Sequence, residues 1–330
     1  MMTIGIWDAV VLTAKAATYA ATLAASGGVF FLAYSHALLD GERTRRIVRL
    51  VRALACTGVL AGVAMIMAIS ASMSGDAGGL ADTGLVRMIL QAGEGRASLV
   101  RGIGLILIAA SLTARRSPRA AAPAMGGARL ELAPAGRGRL RAALFGSVAA
   151  ATSFAWVGHA HSLAVLRHAW VPALAIVAHL LCAAFWLGAL VPLLVVAGDA
   201  DASRTGRSRT DMSRVAAIVR RFGSAALIVV AALLAAGVVM ASLLLNNAGE
   251  LWTDDYGGLL LTKILLVSCL LALAAFNHVR LTPRLLANDE RALRALKRSI
   301  VGELVVAGCV LVVTAAMTTL TGPPVLHVPR

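Results

Sequence analysis

Residues 171–196 read VPALAIVAHLLCAAFWLGALVPLLVV, a run without a single charged side chain. As a helix rising about 1.5 Å per residue it is long enough to cross a hydrocarbon core of about 30 Å. The apolar residues are continuous instead of alternating, which is wrong for a lipid-facing barrel strand, and in hydrocarbon only helices or closed barrels satisfy their backbone. Working outward from this run, the same reading predicts helices near 9–34, 47–72, 97–114, 140–157, 218–245, 258–279 and 299–320. The expectation is an all-α polytopic membrane helix bundle of about eight transmembrane helices, a single domain over residues 1–330, because no intervening segment is long enough to fold alone.

Composition agrees. Of the 330 residues 59% are hydrophobic and only 14% charged, and the mean hydropathy is +0.83, outside the range of a soluble domain. The first eight residues lack the basic stretch of a signal peptide, so the first apolar run reads as a retained helix. The four cysteines, Cys56, Cys182, Cys269 and Cys309, lie inside apolar runs with no CxxC pair and read as small packing residues.

The formal charge of +15 does not point to nucleic acid, since the basic residues form short clusters between apolar runs with no aromatic interleaving. It orients the bundle instead. The connections after the first, third, fifth and seventh helices hold 24 of the 31 basic residues, from Arg43, Arg45, Arg46, Arg49 and Arg52 to Arg291, Arg294, Lys297 and Arg298. Such loops stay cytoplasmic. The connections after the second and sixth helices carry Asp76, Asp82 and Glu94, and Glu250, Asp254 and Asp255. Both termini are then periplasmic, in a multi-pass protein of the bacterial inner membrane, and the Ala, Pro, Gly and Arg-rich stretch 115–139 is a flexible cytoplasmic connector.

This orientation sorts the candidate chemistry. His159, His161 and His168 fall in the outer loop between the fourth and fifth helices, and His179 lies about two turns inside the fifth. An ionisable residue inside an apolar span faces a partner or a pathway, which singles out His179. Trp186, seven residues on, shares its face, and Cys182 is adjacent. Met65, Met67 and Met73 mark the outer end of the second helix. Imidazole and thioether donors together suit a soft metal, with Met65 and Met67 as candidate ligands beside His159, His161, His168 and His179. Methionine is also routine packing. Histidines on neighbouring helices would equally ligate haem, with His159 or His179 outside and His36 with His278 inside. Lys263 lies about one turn below the acidic outer segment Trp252-Thr-Asp254-Asp255-Tyr256-Gly257 and reads as a structural pair or a snorkelling lysine. No nucleophile and base pair, phosphate loop or zinc-protease motif is present, so no enzyme is expected.

Three stretches carry a resemblance. They are Gly158-His159-Ala160, the run from His179 through Trp186-Leu-Gly188, and a longer pattern from Arg221-Phe222 through Ala236-Gly237, Tyr256-Gly257 and Leu260-Leu-Thr-Lys263 to Asn277 and Leu281-Thr-Pro283. The chain resembles the copper resistance protein D (CopD) family of bacterial inner-membrane proteins, well over 150–320 and by helix pattern alone before residue 140. The resemblance implies copper as the metal, uptake from the periplasm, and a separate periplasmic CopC-like copper-binding protein as partner, since no such domain is part of this sequence. The resulting expectation is a copper transport or homeostasis protein that captures the ion outside and moves it inward. The alternatives are a b-type membrane cytochrome, or a copper-delivery assembly factor without net transport.

Overall fold

The computed structural model describes residues 5–113, 134–156, 170–202, 209–244 and 255–320, and every regular element among them is helical. The helices are α1 (Ile6–Ser35), α2 (Gly41–Ser74), α3 (Thr83–Gln91), α4 (Gly93–Ser111), α5 (Pro134–Thr152), α6 (Trp170–Ala202), α7 (Arg209–Leu244), α8 (Asp255–Phe276), α9 (Thr282–Leu286) and α10 (Glu290–Thr319). A π-helical turn, Asn277–Leu281, joins α8 to α9. Six segments are long and apolar enough to cross a membrane: α1, α2, α10, and the greater part of α6, α7 and the α8–α9 unit. The protein is a polytopic membrane helix bundle. The third and fourth expected spans correspond to α4 and α5, which are 19 residues each and carry three charged residues apiece.

The helix ends differ from the sequence expectation, and one cause explains most of the difference. Arginine is a good helix former, so a helix does not stop where its apolar run meets a basic cluster. Arg43 to Arg52 form the opening turns of α2, Arg214 to Arg221 lie in α7, and Arg291 to Arg298 open α10. Residues 134–139 of the expected connector are likewise helical, with Pro134 first in α5, a position where its missing N–H costs nothing. The rest of the connector lies outside the described residues. At the start of α2, Asp40 Oδ1 accepts from the backbone N–H groups of Glu42 and Arg43 at 3.0 and 2.8 Å, and Oδ2 accepts from Arg43 Nη1 at 2.8 Å. Burial pushes the Asp40 carboxyl up, but these hydrogen bonds and the guanidinium outweigh it and hold the group below the usual carboxylate value.

The bundle is organised around α1, which packs against α2, α4, α5, α6 and α10. Its sequence allows this because its buried positions are mostly small, including Ala21, Ala25, Ser26, Gly27 and Gly28. At the α1–α6 crossing, a Cβ on Gly27 would lie 2.1 Å from the Ala184 carbonyl oxygen, and one on Gly188 2.1 Å from that of Leu23. The backbones touch there. By contrast α7 and α8 bury little of their surface inside the protein and present Leu227, Ile228, Val238 and Leu265 outward, the pattern of helices at the lipid boundary.

Candidate functional site

His179 sits on the face of α6 turned toward α7. Its Nδ1 is 3.2 Å from the carbonyl oxygen of Leu233. A carbonyl only accepts, so Nδ1 carries the hydrogen and donates, which fixes the tautomer and leaves the lone pair on Nε2. The sequence of α7 makes the approach possible. Gly237 follows Leu233 by one helical turn, and a Cβ there would lie 3.6 Å from His179 Cε1 and 3.7 Å from Nδ1, so the ring rests against glycine where a larger side chain would displace it. Half-buried Lys263 of α8 lies within electrostatic reach of the ring. Trp186, two turns along α6, is buried on the same side, beside Val219, Phe222 and Gly223 of α7. The expected shared face of His179 and Trp186 is the geometry observed.

The other expected ligands are distributed differently. His159, His161 and His168 lie outside the described residues; the segment that carries them runs between Trp156 and Trp170, both more than half exposed, as tryptophans of a membrane interface are. Met65 is fully buried and packs with Ile66 and Ile89, whereas Met67 is 39% exposed. Residues two apart on a helix point in nearly opposite directions, so only Met65 faces the bundle. Met73 is 54% exposed. Among the described residues no three His, Cys, Asp or Glu side chains are grouped to hold a metal. His36 is exposed and its Nδ1 donates to the carbonyl of Ala33 in its own turn at 2.9 Å, while His278 Nδ1 lies against Gly223 of α7.

A second polar group joins α1, α4, α10 and the turn after α5. Lys15 Nζ is 3.9 Å from Glu94 Oε2 and 3.4 Å from the carbonyl of Thr318. Arg101, 2% exposed, donates from Nε to Ser153 Oγ at 3.2 Å and stacks 4.0 Å above Phe154, and Phe154 meets the edge of Tyr19 at 4.9 Å. Both Nη atoms of Arg101 and Oε1 of Glu94 have no hydrogen-bond partner. Two buried cations face one carboxylate, so this cluster carries a net positive charge. The reading by apolar runs stops at Lys263 and passes over Lys15, Arg101 and Glu303. The same rule finds them, since each interrupts an apolar span and so needs a partner.

Two family models match the chain. The copper resistance protein D-like N-terminal domain matches residues 6–168, and copper resistance protein D matches residues 216–317; together they cover about four fifths of the sequence. The chain belongs to the copper resistance protein D family. No curated protein and no solved structure matches it significantly. The first half, which the motifs reached only through helix pattern, therefore has its own match within the family. The copper resistance protein D match holds the α7 and α8 partners of His179, namely Leu233, Gly237 and Lys263, while His179 itself lies in the stretch between the two matched regions. The protein is thus a copper resistance membrane protein.

Proposed function

We propose that this protein captures copper on the periplasmic side with His159, His161 and His179 and moves it across the inner membrane, with the arginine-rich ends of α2, α7 and α10 in the cytoplasm and both termini outside. The observation that carries this reading is the His179 hydrogen bond to Leu233. A metal-binding imidazole donates its second ring N–H to a carbonyl or carboxylate, which orients the ring and presents the other nitrogen as a ligand; His179 has that arrangement, with Nε2 making no hydrogen bond among the described residues. Of the candidate thioethers Met65 and Met67, Met65 is the buried one. Copper is cargo in this reading, and the protein turns over no substrate. A separate CopC-like protein in the periplasm would supply the ion. Haem ligation draws no comparable support, because His36 is exposed and bonded within its own turn.

The test is the metal content and absorption spectrum of detergent-purified protein after copper loading, beside a variant with His159, His161 and His179 all replaced by alanine, followed by copper uptake into proteoliposomes. Stoichiometric copper that the variant loses, with uptake that it also loses, is the expected result. Copper bound without any uptake would move the protein to a delivery factor, and a Soret band would make it a cytochrome.

A further inference from the structure

A cavity of about 350 Å³ opens between α6, α7, the π-helical turn and α10, in the half of the bundle nearer the arginine-rich end. Its wall is apolar except where Asn277, His278, Thr282 and Glu303 line it. Glu303 is 3% exposed and interrupts the apolar face of α10. Its Oε1 accepts from Asn277 Nδ2, and no lysine or arginine among the described residues comes within ion-pair distance of it. Asn277 Oδ1 and His278 Nδ1 are buried without any hydrogen-bond partner.

The backbone is shaped for this arrangement. The π-helical turn begins at Asn277, and the Thr282 hydroxyl donates to the Asn277 carbonyl at 2.9 Å; such turns inside helices recur at functional sites. Across the cavity Gly223 makes room for His278, since a Cβ there would be 3.0 Å from Nδ1. A carboxylate without a counter-ion is costly at this depth, whereas the neutral acid is not. The amide N–H of Asn277 can be accepted by Glu303 in either form, so it holds the group in place without trapping its proton. Oxygen donors with one imidazole suit a hard cation better than soft copper(I).

We propose that Glu303 is a proton-exchange site: a neutral carboxylic acid that gives its proton to water in the cavity and takes it back. In the forward step the Glu303 O–H bond breaks and an O–H bond forms on a cavity water, leaving a carboxylate and a hydronium ion. Charge is conserved. Among the described residues the titratable groups on the cavity wall are Glu303 and His278: α6 and α7 contribute no ionisable side chain to it, the turn after α8 contributes His278 and α10 contributes Glu303. Arg220, Arg280 and Lys297 belong to the same elements but do not line it, and Arg221 lies 4.6 Å from the Tyr34 ring of α1.

This assignment goes beyond copper handling, and its test uses no copper, so either can fail without the other. The full-length protein in membrane vesicles is treated with a hydrophobic carbodiimide, which modifies protonated carboxyls, and mapped by mass spectrometry. Infrared spectroscopy of the same vesicles follows the C=O band of protonated carboxyl groups. Glu303 should be modified far more than exposed Glu42, with modification and band both declining as pH rises. Glu303→Gln should abolish both signals, and Glu303→Asp should keep a titrating band. Asn277→Leu, which removes a hydrogen bond that favours the carboxylate, should move the transition up by about one pH unit. Where the reagent fails to reach the site the infrared band decides. A wild-type protein with no band assignable to Glu303, or a band that does not change with pH, overturns the proposal.

Discussion

Gly237 carries no side chain at the one place on α7 where the imidazole of His179 has to lie, and the consequence can be measured. An added methyl meets the ring at 3.6 Å, an ordinary van der Waals contact, whereas two more carbons would push the ring off the Leu233 carbonyl. Gly237→Ala should therefore leave copper affinity nearly unchanged, while Gly237→Val should weaken it by about tenfold, the loss of one orienting hydrogen bond to a ligand. Titration of each purified variant with copper against a chelator of known affinity reads the difference, and equal affinities would separate the ring's orientation from binding. Lys263 acts on the same ring in the opposite sense, since an ammonium nearby opposes the arrival of a metal cation. Lys263→Met should tighten copper binding by about threefold to tenfold, the size expected of one partly screened like charge. His179 itself was legible in the sequence as a titratable residue in an apolar span. Its partner was not, because the acceptor is a backbone carbonyl 54 positions away, and a carbonyl has no sequence signature.

At the scale of elements, the existence of the long helices was legible because continuous apolar runs leave the backbone no other way to satisfy itself in lipid. Their ends were not, because the arginine clusters that mark the membrane boundary are also good helix formers, so α2 and α10 continue through them. Nor was the central place of α1, whose run is no more apolar than the others; what distinguishes it is the small residues at its crossing with α6. That crossing gives a sharp prediction. A methyl on Gly188 would meet the Leu23 carbonyl oxygen and the Cα of Gly27 at 2.1 and 2.7 Å, and neither belongs to a side chain that can rotate away. Gly188→Ala should cost about 3 kcal/mol, the upper range for overpacking a filled interior. Gly62→Ala on α2, where nothing lies within 4 Å, should be neutral or slightly stabilising. Detergent thermal unfolding of the two variants makes the comparison, and equal shifts would mean that α1 and α6 can slide apart freely.

Across the whole molecule, charge divides the bundle end to end. Tyr34 near the end of α1 donates to the Arg221 carbonyl near the start of α7, so the arginine-rich openings of α2 and α7 share one end, while Lys15, Glu94, Arg101 and Thr318 meet at the other. The cavity of Glu303 lies about 21 Å further along α7 than the His179 contact, as judged from Gly237 to Gly223. Direction along that axis depends on which end faces the cytoplasm. The proposed orientation puts the arginine-rich end inward, where lysine and arginine are retained, and it can be tested without copper. In a background with the four cysteines replaced by serine, Glu42→Cys reports the arginine-rich end and Thr83→Cys the opposite one; both positions are exposed. A membrane-impermeant thiol reagent should label the Thr83→Cys protein in right-side-out vesicles and the Glu42→Cys protein only after inversion. The reverse pattern would place His179 nearer the cytoplasm and turn the proposed uptake into export, since the same ligands would then capture copper from inside.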